Sequence, residues 1–423
     1  MAGGDRISVL PLEIKISLLS RLKFKDAVRT SALAHSWRHL WTLLPRLSLS
    51  SCSDPLGLAR SSPDIYFDAI WLQRVHDLVS SLQGPILHFQ LAFCYGADTE
   101  SVMTPLLCCL LDLLLQKGGV ETLHLQNFNH RRLAVTCLPS FHALKELDLC
   151  NCHLVLPTGF CGFNCLTKLD LLDTLISSAN DLHLPVNLSF PLLRHLMFTF
   201  TNFEMVSQIS APSLEKACIF HCDLYNFTSQ KLAQVTLGLV TSVSMVSSLT
   251  LGFNALEFFS LVALPFNFTF PRLRFLRFDL NVDTVDKRMH GAFLWLLRSL
   301  PFLEELKIWL EGDDSSQTNR VAILMRELLA KKNGGFACLD RTMRSVTMSM
   351  DNLKVTTSIT MTQFFLFNAK VLKELKIAYW SGGEVIPSMI EELQKVEIVS
   401  SDAKVVIFDC MKKKNYFVYE QLT

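Results

Sequence analysis

One pattern constrains this chain more than any other. Four segments carry an apolar residue at positions one, four and six and a small or polar residue at position nine. Leu144, Leu147 and Leu149 lead to Cys152 and then Leu154, while Leu166, Leu169 and Leu171 lead to Thr174 and Ile176. Leu193, Leu196 and Phe198 precede Thr201 and Phe203, and Leu214, Ala217 and Ile219 precede Cys222 and Leu224. Shorter matches begin at Val120, Leu232, Val246, Leu273, Leu303, Met343, Leu372 and Leu393. Self-similarity at roughly 20 to 30 residues marks a stack of repeat units. Alternation between positions four and six predicts a short strand in each copy, with one face turned inward. A single copy cannot cover its own apolar face, so neighbours must stack into a solenoid. Position nine needs a small polar side chain where the chain leaves the strand; Cys152, Thr174, Thr201, Cys222 and Asn281 are expected there.

Stacking of this kind is the leucine-rich-repeat signature, and it accounts for an otherwise puzzling composition. Half of the 423 residues are hydrophobic and 19% are charged, with a mean hydropathy of +0.30. The residues between Lys231 and Glu257 carry no charge and are long enough to span a bilayer. They include polar residues such as Gln234, Thr236 and Asn254, and two repeat copies begin among them, so they are expected to form solenoid interior. The stretch Pro105 to Leu115 is too short to span and contains Asp112. The opening MAGGDRISVLPLEIK has no basic-then-apolar leader. The 13 cysteines are therefore expected to be reduced thiols in the cytoplasm and/or nucleus, and the sequons at Asn187, Asn226 and Asn267 to be unused. A formal charge of +1 lacks the basic footprint of a nucleic-acid binder, so neither nucleic acid nor membrane is expected as a partner.

The first 50 residues differ from the rest. Pro11 suits the first turn of a helix, and Ile14, Leu18 and Leu22 recur at intervals of four along one helical stripe. A second helical piece runs from Lys25 and Asp26 through Val28, Ser31 and Leu33, and a third contains Trp37-Arg38-His39-Leu40-Trp41 and stops before Pro45. A three-helix unit of about 40 residues is small for an independent core and needs a partner to cover its apolar surface.

Leu10-Pro11-x-Glu13, Ile14, Leu18-Leu19-x-x-Leu22, Lys25-Asp26, Val28-Arg29, Leu33 and Trp37-Arg38 match the F-box motif in order and without a gap. The chain resembles the plant F-box proteins that carry leucine-rich repeats and a C-terminal FBD domain. It departs from the family's usual pattern at Leu22-Lys23-Phe24 and at Leu33-Ala34-His35-Ser36. Arg344-Ser-Val-Thr-Met-Ser-Met and the segment from Thr362 to Ile377 resemble the FBD domain, most closely at Asn368-Ala-Lys-Val-Leu-Lys-Glu-Leu-Lys-Ile377. The expected fold class is thus α/β, with a three-helix F-box over 5–50, an irregular repeat solenoid over 51–340, and an FBD-like end of the solenoid over 341–423. Within that end, Val405-Val-Ile-Phe-Asp is expected as a late strand. Between the copies at Leu303 and Met343, Glu311 to Thr318 reads as an exposed loop. Asn319 then caps an amphipathic helix from Arg320 to Lys332 that Gly334-Gly335 closes.

The resemblance implies a non-catalytic substrate receptor of an SCF-type (Skp-cullin-F-box) ubiquitin ligase. It would dock on a Skp-type adaptor, and through it on cullin, by way of Leu10, Pro11, Ile14, Leu18, Leu22, Val28, Leu33 and Trp37. The alternative is an interaction scaffold whose altered F-box no longer recruits a ligase. No phosphate loop, nucleophile elbow or His-Glu-x-x-His metal helix is present in the sequence, and no cofactor or metal is expected. The close pairs Cys150/Cys152 and Cys161/Cys165, and Cys218 with His221 and Cys222, lack the paired spacings of a zinc site. Lys412-Lys413-Lys414 is expected to be a solvated turn. By strand alternation, Asp148, Asp170, Phe220, Arg277, Lys307 and Trp309 are the candidate substrate-binding residues, with Trp309 foremost. The substrate itself is not encoded in any motif.

Overall fold

The computed structural model describes residues 7, 9–51, 67–93, 100–128, 131–179, 186–201, 206–220, 238, 240–252, 268–281, 287–311, 336–350, 355–380, 386–396 and 398–419. The expected helix over 320–332, its loop from residue 312 on, Cys222, Asn226, the copy at Leu232 and the side chain of Asn281 lie outside the described residues, while Glu311, expected to open that loop, ends a strand. The chain forms two compact units, Met1–Ser213 and Leu214–Thr423.

In the first unit, a helix over Leu12–Leu19 and another over Phe24–Arg29 open the chain. The third expected helix is instead two single 3-10 turns, His35–Trp37 and Leu40–Leu43. Ala34 is extended at φ −158 and ψ 158 just before the first turn, His39 at φ −118 and ψ 4 leaves helical geometry between the two turns, and Leu44 is extended, the conformation favoured before proline. Trp37 packs with Leu19, Ala27 and Leu44 in a small core, with Phe24, Leu40 and Trp41 against it.

Arg46–Ser50, the end of the F-box-like segment, is itself the first strand, β1. It is followed by β2 (His88–Phe93), β3 (Thr122–Asn127), β4 (Leu133–Val135), β5 (Glu146–Cys150), β6 (Cys152–Leu156), β7 (Lys168–Leu172), β8 (Leu175–Ser178), β9 (Val186–Ser189), β10 (His195–Thr199) and β11 (Val206–Ser210). The main sheet of this unit runs in the order β1-β2-β3-β5-β7-β10, parallel throughout. Its register aligns the template: Leu123, Leu147, Leu169 and Leu196 form one buried column, and Leu125, Leu149, Leu171 and Phe198 form the next. Helices over Phe67–Ser81 and Glu100–Lys117 pack against each other beside the early strands. The later crossovers are too short for such helices. Residues 151–167 carry β6 followed by Pro157 and Gly159, and a small sheet β4-β6-β8 replaces the helical layer. Strands β9 and β11 pair separately.

The second unit holds β12 (Lys216–Phe220), β13 (Ser248–Leu251), β14 (Phe275–Asn281), β15 (Glu305–Glu311), β16 (Ser345–Met350), β17 (Glu374–Tyr379), β18 (Lys404–Asp409) and β19 (Lys414–Tyr419). They lie in sequence order, parallel except for the antiparallel last pair. Helices over Lys287–Arg298, Ala337–Arg341, Val355–Asn368 and Ile386–Gln394 alternate with the strands. The uncharged stretch contains β13 and is not one continuous helix. No helix among the described residues is long and apolar enough to cross a membrane. The copy expected at Leu393 is not a strand. Ile386, Met389 and Leu393 instead form the buried stripe of a helix, because their spacing of three and four fits that period. The late strand falls at Lys404–Asp409.

One hydrogen-bond motif links the copies. The carbonyl at position two accepts two N–H groups from the next copy: Lys145 accepts from Thr167 and Lys168, Glu304 from Arg344 and Ser345, and Arg344 from Lys373 and Glu374. Position eight adopts the left-handed conformation at Asn151, Asp173 and Phe200. Position nine then turns inward: the Thr174 hydroxyl donates to the Leu149 carbonyl at 3.2 Å, and the Thr201 hydroxyl to that of Leu171 at 3.0 Å. Cys152 reaches the Leu125 carbonyl at 4.0 Å.

Candidate functional site

The first candidate surface is the outer side of the opening helices. The helix over Leu12–Leu19 buries Lys15 and Leu19 and turns Ile14 (48% exposed), Leu18 (44%) and, just beyond its end, Leu22 (47%) outward. This inverts the usual amphipathic order, in which the apolar stripe faces the core. The Lys15 ammonium lies 5.8 Å from the centre of the Trp37 ring, so the inward face is closed by a cation over an aromatic plane. Leu33 is 74% exposed. Pro11 is exposed, and Leu10 and Val28 are half-buried. Leu12, Ile7 and Val9 extend the exposed apolar area; the sequence reading missed them because they sit off the stripe of four-residue intervals.

Trp37, expected among the docking residues, is buried in the small core, where Leu19, Ala27 and Leu44 pack around its large ring. Its part is to hold the stripe in place. The altered residue Phe24 also faces inward, its ring edge-on to Trp41 at 6.1 Å, so that departure from the motif spends its bulk in the core.

The second candidate surface is the strand face opposite the buried columns, and it differs between the two units. In the first, β5 and β7 set Asp148 beside Asp170 in register. Lys168 pairs with Asp170 at 2.7 Å, and His124 lies 3.8 Å from Asp148. Burial, reinforced by Asp170, raises the Asp148 carboxyl above the usual carboxylate range. In the second unit, the Arg277 guanidinium lies 5.8 Å from the Phe220 ring centre and 3.3 Å from the Asp279 carboxylate. Lys307 lies over Phe275 at 5.0 Å and pairs with Glu305 at 2.9 Å. Trp309 packs on Trp380 with ring centroids 5.9 Å apart. The structure thus brings Phe220, Arg277, Lys307 and Trp309 onto one face of the second unit and Asp148 and Asp170 onto one face of the first. Trp380 was missed as a candidate, whereas Lys376 is among the outward positions that strand alternation gives. Trp380 lies one step past its strand, although the odd-even alternation from Trp309 and Lys376 points to it.

Cys152 is fully buried, and burial pushes its thiol up, which disfavours the thiolate a metal would need. Among the described residues, no group of three His, Cys, Asp or Glu side chains is arranged to hold a metal ion.

No protein-family model matches the chain. Relatives are nonetheless found among curated proteins of Arabidopsis thaliana. One F-box/FBD/LRR-repeat protein is 29% identical over 211 residues, covering 50% of this chain and 47% of that one. A second is 34% identical over 170 residues, covering 39% of this chain and 35% of that one. A putative third is 26% identical over 335 residues, covering 73% and 76%. The chain therefore spans about half the length of the first relative and about a third of the second. With F-box, repeat and FBD names recurring along these matches, the chain is a relative of the plant F-box/LRR-repeat proteins that carry an FBD domain.

Proposed function

We propose that this chain is the substrate-recognition subunit of an SCF-type ubiquitin ligase. In this reading, the outer stripe of the opening helices docks on a Skp-type adaptor, which joins the chain to cullin in the cytoplasm and/or nucleus. The strand faces hold a protein target so that its lysines meet the charged ubiquitin-conjugating enzyme. The contribution is proximity, without bond chemistry by this chain.

The observation that supports this reading is the apolar stripe Ile14, Leu18 and Leu22 with Leu33. Each half-exposed Leu or Ile leaves on the order of 1 kcal/mol of hydrophobic free energy unrealised, which a docked partner recovers. Contiguous apolar exposure of this kind marks a protein contact. The names of the relatives, with their F-box and repeat modules, support the same reading.

The test is capture of the full-length chain by an immobilised Skp-type adaptor. Replacing Ile14 and Leu18 together by Asp, or Leu10 and Pro11 together by Ala, is expected to abolish capture while the fold survives. Undiminished capture by both variants would overturn the docking surface. Co-purification of cullin with the unmodified chain separates a ligase subunit from a scaffold.

A further inference from the structure

The strand register of the second unit aligns one row across six strands: Cys218, Thr250, Arg277, Lys307, Thr347 and Lys376. Three of these are cations and none is an anion. In the first unit the equivalent register row places His124, Asp148 and Asp170 side by side. The repeat template therefore does not demand cations there. These three cations occupy the central row, while Asp279, Glu305 and Glu374 lie two residues away on the same face.

The cations are also held in place. Arg277 lies against Phe220, Lys307 over Phe275, and Lys376 over Phe408 at 5.0 Å. An aromatic plane beneath each limits its rotamers and lowers the entropy a bound anion must remove. Arg277 and Lys307 have a carboxylate partner within the chain, and Lys376 lies over the Phe408 ring. Beside this row, Trp309 and the 45% exposed Trp380 form an aromatic pair on the same face.

Resting on the reading of this face as the target-binding surface, we propose that it binds an extended protein segment bearing acidic residues four positions apart around an aromatic one. The spacing follows from geometry. Arg277 and Lys376 are three strand steps apart, roughly 14 Å at about 4.8 Å per step. Four residues of extended peptide span about 13.6 Å and return to the same face. Acidic groups at positions i and i+4 therefore reach both cations, and residue i+2 between them faces the tryptophan side.

The experiment is fluorescence anisotropy on the full-length chain with labelled ten-residue peptides. The first carries Glu at positions three and seven and Phe at five. The second replaces both Glu by Gln, and the third moves one Glu to position six, onto the opposite face. The first peptide is expected to bind about tenfold tighter than either control, with the difference shrinking as salt rises. Arg277→Gln with Lys376→Gln is expected to remove that difference, and Trp380→Ala to weaken the first peptide alone. Equal binding of the three peptides overturns the proposal, as does tighter binding of single-stranded RNA of equal length or of a phosphorylated peptide lacking the two Glu. Adaptor capture of the same variants separates the two ideas: capture retained with no peptide preference defeats the acidic segment only. Peptide preference with no capture defeats the ligase reading and leaves this face standing.

Discussion

At the scale of single residues, position nine decides how each copy closes. The one hydroxyl proton of Thr174 is shared between the Leu149 and Leu172 carbonyls, and that of Thr201 between those of Leu171 and Thr199. One hydroxyl thus ties the end of its own strand to the preceding copy. Thr174→Val keeps the volume and removes those bonds, so urea unfolding is expected to show a loss of about 1 to 2 kcal/mol. No loss would mean that the side chain is only a spacer. The need for a small polar side chain there was legible in the sequence. The left-handed residue just before it was only partly so: Asn151 and Asp173 are types that tolerate that conformation, but Phe200 is not, and backbone closure imposes φ near +50 on all three.

Cys338 supplies a pH test at the same scale. It is fully buried, and burial pushes its thiol up to about 12, whereas an unfolded thiol titrates near about 8.5. The folded value is raised, so the stabilising contribution is complete below the unfolded value and is lost as pH rises from about 8.5 toward 12. Cys338 alone should remove about 1.4 kcal/mol per pH unit in that window. Cys338→Ala is expected to give a shallower fall in stability from pH 8.5 to 10 than the unmodified chain. Identical slopes would place the thiol in water.

At the scale of elements, the opening helix separates folding from docking along its two faces. Leu19 and Trp37 hold the small core, while Ile14 and Leu18 face outward. Leu19→Ala is expected to cost about 2 to 5 kcal/mol, and the outward pair replaced by Asp less than about 1 kcal/mol, as read from thermal unfolding. The stripe at intervals of four was visible in the sequence, but its direction was not. Periodicity reports that apolar residues share a face without saying whether that face meets the core or a partner. The third helix differs for a related reason, since His39 leaves helical geometry inside a run whose composition alone favours helix. Likewise, Leu393 satisfied a strand template and a helical stripe at once, and packing of Ile386, Met389 and Leu393 selected the helix.

At the scale of the whole molecule, stability is a sum over stacked neighbours in each unit. Leu276 lies in a buried column between Leu249 and Leu306. Leu276→Ala is expected to raise amide hydrogen exchange most in β13, β14 and β15, with much less change in β2 and β3 of the first unit. A uniform rise across both units would show that the chain unfolds as one cooperative body. The hydrophobic half of the composition is explained at this scale: three inward positions per copy, repeated, build the columns without a membrane-spanning helix among the described residues.

The sequence by itself determined the repeat, its inward positions and the resemblance of the first 50 residues, because each is a local pattern whose spacing already implies its geometry. Only the tertiary structure decided that Ile14, Leu18 and Leu22 face outward while Trp37 faces inward, since that depends on which side of a short helix other segments cover. Register decided the rest. Arg277, Lys307 and Lys376 share position five of the copies that begin at Leu273, Leu303 and Leu372, but how many strands separate them is fixed by the pairing. They form a row because parallel strands, aligned by their buried leucines, bring the alternate side chains into line on the opposite face.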